Sequence, residues 1–316
     1  MRRFRLHRLS TLLFAAFAAL SAEAAGPHAY VPNEKSGSIS IIDTASDQRV
    51  GEISTGRRPR GNATDGKLLY LTDAESGSLL VVDPVARRVV KSLPLGKSPE
   101  GVSVSADGKL LAAAVEADNS IVLIDAASVR ELARIKVEGD NPEHAVFSPD
   151  GRWLYVSAED AEQVDVIDVA ARRQVASIAV GKRPRGIAFT PDGRRAYVAC
   201  EIAGKVYAID VAGRKVLAAI AAGQFPNGLA MHPDGRRVFV SNGRDGSVMA
   251  IDTASNAVVA TVAVGKRPWN MALTPDGGKL YVANGRSNSV SVVDTAAMKK
   301  LAEVEVGELP WGVSIR

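Results

Sequence analysis

Seven times along this chain an apolar run closes on an aspartate, and about a dozen residues later Gly-x-x-Pro follows. The aspartates are Asp43, Asp83, Asp125, Asp168, Asp210, Asp252 and Asp294, and the glycines are Gly56, Gly96, Gly139, Gly181, Gly223, Gly265 and Gly307. Successive aspartates stand 40 to 43 residues apart, a period shared by β-propeller blades and by helical HEAT or armadillo arrays. The pattern within one unit separates the two. After Pro184, the runs Arg185 to Thr190 and Arg195 to Ala199 flank a Pro191-Asp-Gly193 turn, which reads as a hairpin. Lys205 to Asp210 and Lys215 to Ile220 add two more runs of strand length, rich in branched residues and too short for paired helices.

Each unit is therefore expected to be a four-stranded antiparallel meander, with strands A to D counted from the proline. One meander cannot bury both of its apolar faces, whereas seven arranged radially bury each against the next. The fold expected is all-β: a seven-bladed β-propeller of four-stranded antiparallel blades. The first strand, around Tyr30-Val31, falls at a B position, and Trp311 to Arg316 reads as a lone A strand. Closure is expected by pairing that C-terminal strand with the three N-terminal strands.

The first residues follow another pattern. Arg2, Arg3, Arg5 and Arg8 precede an apolar stretch from Leu9 to Leu20, and Ala22-Glu-Ala24 supplies small residues at a cleavable spacing. Residues 1-24 read as a secretory signal peptide, too short in its apolar core to span a bilayer, and residues 25-316 as a single propeller domain. A periplasmic location follows, with no membrane span once the signal is removed. Removal takes four arginines and one glutamate, so the formal charge falls from +4 to +1 and the basic pI of about 9.2 belongs largely to the signal. Without basic runs or clustered exposed aromatics, nucleic-acid binding has no support. The lone cysteine, Cys200, stands where other units carry Asn33, Asn242 or Asn284 and reads as a packing residue. No Cys-x-x-Cys-His and no zinc spacing occurs.

Tyr197-Val-Ala-Cys200, Tyr281-Val-Ala-Asn284, Phe239-Val-Ser-Asn242, Ser289 to Asp294 and Thr274-Pro-Asp-Gly277 resemble the repeats of the YVTN-type β-propeller family. A secreted seven-unit chain of this kind is most similar, within that family, to the β-propeller proteins associated with pyrroloquinoline quinone (PQQ)-dependent catabolism. The resemblance implies a setting beside periplasmic quinoprotein alcohol dehydrogenases, c-type cytochromes and an ABC transporter, any of which is a possible partner. PQQ itself is expected on a partner rather than on this chain, because the quinoprotein dehydrogenases that the resemblance brings in use a different, larger propeller with repeated tryptophan docking motifs, and only three tryptophans occur here.

In a meander the D-to-A and B-to-C connections share one face, and that face carries the variation. Directly after the seven prolines stand Arg60, Glu100, Glu143, Arg185, Asn227, Trp269 and Trp311, expected around the mouth of the central channel. The next position is glycine in five units but His144 and Asn270 in the other two. Such a ring suits an anionic or planar ligand, with Arg60 and Arg185 as forked donors and the indoles as stacking faces, or a docked protein loop. It also suits a solvated, self-neutralising ring. Glu116, Glu159 and Glu201 make one sector of this face acidic, together with Asp118, Asp160 and Glu162. Matching positions on neighbouring blades are expected to diverge, so no metal site is assigned. Glu143 and His144 are sequential neighbours at a strand start, so their side chains are expected to point in opposite directions and to form no base-orienter pair by themselves. His232, at a hairpin on the other face, reads as a turn residue. The expected function is a non-catalytic binding or scaffold propeller accessory to PQQ-dependent alcohol oxidation; the alternative is a lactonase-like hydrolase acting on an oxidation product.

Overall fold

The computed structural model describes residues 27–316; the expected signal peptide lies outside the described residues. Twenty-eight strands form seven four-stranded antiparallel sheets, and one 3-10 turn, Glu116–Asp118, interrupts a connection. Blade 1 contains β1 (His28–Asn33), β2 (Ser38–Asp43) and β3 (Gln48–Ser54), with β28 (Ser314–Ile315) as its innermost strand. Blades 2 to 7 follow in chain order, four strands each. The expected clasp is present: Ala29 pairs with Ile315 and Tyr30 with Ser314, and His28 and Arg316 exchange backbone hydrogen bonds of 2.7 and 3.0 Å.

The repeated residues have local reasons. At the C-to-D turns the aspartate side chain accepts backbone N–H groups two or three residues on, as Asp83 does from Val85 and Ala86 at 2.9 Å each. These Asx-type bonds close the turn; the Ser46 and Ser128 hydroxyls together with the turn N–H groups hold the carboxyls of Asp43 and Asp125 below their usual range, and the Ser255 N–H and hydroxyl do so for Asp252. At the D-to-A connection the repeated glycine lets the backbone lie on the end of strand B. A Cβ on Gly265 would sit 2.6 Å from Asn284 Nδ2, and Gly265 N–H donates to Asn284 Oδ1 at 3.1 Å. Cys200 occupies the corresponding place under Gly181; burial pushes its thiol up to about 12, as suits a packing residue.

The core lies between blades. Tyr30, Ile39, Ile41 and Ile53 of blade 1 pack against Leu69, Leu71, Leu80 and Val82 of blade 2, all buried. Innermost strands approach closely because of the glycines after Pro-x. A Cβ at Gly186 would lie 2.6 Å from the Asn227 carbonyl oxygen, and one at Gly228 would lie 2.5 Å from that of Trp269.

Candidate functional site

The residue after each proline is carried to the channel mouth by a slip in strand pairing. In blade 3 Pro99 pairs with Val115 but Val102 with Ala113, so two residues oppose one. Corresponding slips occur in blades 2, 4, 5, 6 and 7. Bulges re-aim side chains. In blade 4 Pro142 pairs with Ala158 and His144 with Ser157, leaving Glu143 unpaired, and Glu143 lines the mouth while His144 does not.

Arg60, Glu100, Glu143, Arg185, Asn227, Trp269, Asn270 and Trp311 line one cavity of about 130 Å³, together with Glu34 and Arg267. His144 lies beside it without lining it. Its ring rests against Trp311, centroids 5.6 Å apart, and beside Gly101, where a Cβ would meet its Nδ1 at 2.6 Å. Asn270 likewise fits beside glycine: a Cβ on Gly228 would reach its Oδ1 at 3.0 Å, and one on Gly312 its Cβ at 3.2 Å. Replacement of glycine in one blade is thus accommodated by glycine in its neighbours.

The forks of Arg60 and Arg185 are turned on glutamates of the ring. Arg60 pairs with Glu100 and, at 3.2 Å, with Glu34. Arg185 pairs with Glu159, lies 2.7 Å from Glu143 and donates to Glu201 at 3.0 Å. Arg183 bridges Glu159 and Glu201 at 3.2 and 3.3 Å, and Arg267 reaches Glu201 at 2.6 Å across two blades. Glu159 and Glu201 therefore converge on shared guanidinium groups rather than diverging radially. Among the described residues no set of three or more His, Cys, Asp or Glu side chains has metal-binding geometry.

Burial sets the protonation. Glu100 is 1% exposed; desolvation, aided by the Glu143 charge and opposed by Arg60, pushes its carboxyl up to about 9. Desolvation raises Glu159 to about 8 by the same logic, with Glu143 adding and Arg185 opposing. Glu143 remains the anion: burial would raise it, but Arg185, His144 and Arg60 outweigh burial and lower it. Desolvation lowers His144, against the pull of Glu143, so its imidazole is neutral at pH 7, with Nε2 buried and unpartnered among the described residues. The mouth is a buried lattice in which arginines and carboxyls answer one another.

Several members escaped the sequence reading. Glu34 occupies the position of Glu116, Glu159 and Glu201, directly after strand B, and Arg58, Arg183 and Arg267 precede their prolines. The recurrence of glutamate at that one position in four of seven units was the available signal. In blades 6 and 7 the same position is Gly243 and Gly285, over which Arg267 and the Trp269 indole lie. Trp269 keeps part of its ring at the surface, whereas Trp311 is 9% exposed and belongs to the support of the mouth. His232 is on the opposite face, its Nδ1 2.7 Å from Asp234 in the hairpin turn.

The Cytochrome D1 heme domain family matches residues 111–228. A chain of Kuenenia stuttgartiensis hydrazine synthase is 25% identical, with a TM-score of 0.78, over 90% of this chain and 99% of that one. A functionally unknown protein from Desulfotomaculum acetoxidans superposes with a TM-score of 0.80 at 19% identity, covering 91% and 98%. Dihydro-heme d1 dehydrogenase NirN, in complex with DHE, gives 0.69 at 17% identity, covering 91% of this chain and 74% of that one. No curated protein sequence matches. The chain is a seven-bladed β-propeller protein related in fold to these proteins.

Proposed function

We propose that this protein is a non-catalytic binding propeller of the periplasm, a rigid scaffold that presents its loop face to a redox partner in PQQ-dependent alcohol oxidation. The observation that carries this reading is the ion-pair lattice of the mouth. Its arginines, carboxyls and buried imidazole face one another, leaving Trp269 as the partly exposed aromatic of the rim, the kind of side chain that anchors interfaces. The resemblance to PQQ-associated propellers supports the setting, and a quinoprotein dehydrogenase, c-type cytochrome or transporter component is the partner class. PQQ would sit on that partner.

Heme binding is the second candidate, because relatives in fold are named for it. The residues present do not fit the group. The mouth cavity of about 130 Å³ is below the roughly 300–1,000 Å³ of organic-ligand pockets, and the His144 Nε2 is buried. A larger cleft on the same face has no His, Cys, Met or Tyr in its lining to ligate iron. Lactone hydrolysis needs a base open to substrate, and His144 does not line the cavity.

The test is affinity capture of the tagged protein from native periplasm, comparing wild type with Trp269→Ala and with Trp153→Ala on the opposite face. Enrichment of a dehydrogenase, cytochrome or transporter component, lost only in Trp269→Ala, is the expected result. Turnover on a lactone panel, abolished by His144→Gln, would replace this reading with the hydrolase.

A further inference from the structure

A second depression opens on the loop face away from the channel axis, a cleft of about 1,000 Å³ over blades 5 to 7. Its walls are the B-to-C turn around Arg244 and the D-to-A crossing that carries Lys266. Phe225 supplies an apolar surface, and the guanidinium groups of Arg244 and Arg267 stand 5.6 and 5.5 Å from its ring centroid.

The charges in this cleft are unevenly satisfied. Glu201 is held by Arg267, Glu303 by Lys300 at 2.8 Å, and Asp245 accepts the Gln224 N–H at 2.7 Å. Arg244, Lys266 and Arg286 are exposed and have no ion-pair partner among the described residues. Other blades place Lys35, Glu75, Ala117, Asp160 and Ile202 where Arg244 and Arg286 stand, and Lys35 has Glu308 at 2.6 Å. The face is thus polarised, acidic over blades 3 and 4 and basic over blades 6 and 7, and the cleft holds three cations without an ion-pair partner among the described residues against one such carboxylate, Asp245.

We infer that this cleft binds a small organic polyanion, a planar body bearing two or three carboxylates. Arginine forks match carboxylate geometry, and the Arg244 guanidinium stands over the Phe225 ring, so that an aromatic surface and a group that stacks on flat π systems lie side by side in the cleft. The volume lies at the upper end of the range for organic ligands. The cleft adjoins the mouth and shares Arg267 with it, but the inference rests on Arg244, Lys266 and Arg286 and not on the reading of Trp269, so its failure would leave partner capture unaffected.

The test is isothermal titration calorimetry of the purified protein with benzene-1,3,5-tricarboxylate at low salt. The comparators are propane-1,2,3-tricarboxylate and the Arg244→Gln/Arg286→Gln variant, whose sites are exposed and whose melting is checked first. Saturable one-to-one binding is expected, at least tenfold weaker in the variant, weaker for the ringless acid and reduced by added salt. Absence of saturable binding, or equal affinity in the variant, overturns the site. Equal affinity for the ringless acid overturns the planar-body part of the inference.

Discussion

Arg185 of blade 5 places Nη1 2.7 Å from Oε1 of Glu143 in blade 4, and the same guanidinium also holds Glu159 and Glu201. All three glutamates are buried. Replacing Arg185 by methionine removes the cation common to all three and leaves Glu143 without an arginine partner among the described residues, while Arg183 still bridges Glu159 and Glu201. Removing one partner of a buried pair typically costs about 3–5 kcal/mol. A Tm loss of roughly 6–20 °C is expected in a thermal melt; a melt within a degree or two of wild type would show that the lattice contributes nothing to stability.

The lattice also makes stability depend on pH. The Glu100 carboxyl is raised by burial to about 9, so the folded state binds its proton more tightly than the unfolded chain does. That contribution is full below the ordinary carboxyl pKa of about 4.3, and it is lost as pH rises through the folded value. Glu159, raised to about 8, acts in the same direction. Tm should fall between about pH 4 and pH 9, and Glu100→Gln, which needs no proton, should flatten that fall. Equal slopes in the two proteins would mean that Glu100 is ionised in the fold.

Close approach of innermost strands depends on glycine. A Cβ at Gly101 would stand 2.6 Å from His144 Nδ1 and 2.8 Å from the Glu143 carbonyl oxygen. The imidazole can turn aside, but the backbone oxygen cannot. Gly101→Ala should destabilise by about 1–3 kcal/mol, and the added mutation His144→Gly should restore only part of it, as read by denaturant unfolding. Full restoration would locate the clash in the ring alone.

Closure rests on few residues. Deleting Ser314 to Arg316 removes the pairs Ala29 with Ile315 and Tyr30 with Ser314, and exposes the inner edge of β1. An open propeller presents an unpaired strand edge. The truncated protein should melt at lower temperature and self-associate in light scattering, whereas a monodisperse product with wild-type Tm would make the clasp dispensable.

The architecture was legible because it is local and repeated. Asp83 and its equivalents close their own turns, Gly265 and its equivalents sit on the end of their own blade, and the period shows both. The membership of the ring was legible for the same reason, since Pro-x fixes where each side chain enters the mouth. What the ring does with its charges was not. The Arg267 to Glu201 bond joins residues 66 apart, and the spacing of repeats carries no information on which arginine reaches which glutamate. The bulge after Pro142, which leaves Glu143 unpaired, makes no mark in composition. The basic cleft was missed because Arg244 and Arg286 vary at the position after the one compared.

The role proposed for the loop face is to bind a redox partner through Trp269. Surface plasmon resonance between the immobilised protein and the purified quinoprotein alcohol dehydrogenase of the same periplasm tests it most directly. Saturable binding is expected, weakened at least tenfold by Trp269→Ala and unchanged by Trp153→Ala. No binding, or binding equal in all three proteins, would contradict it.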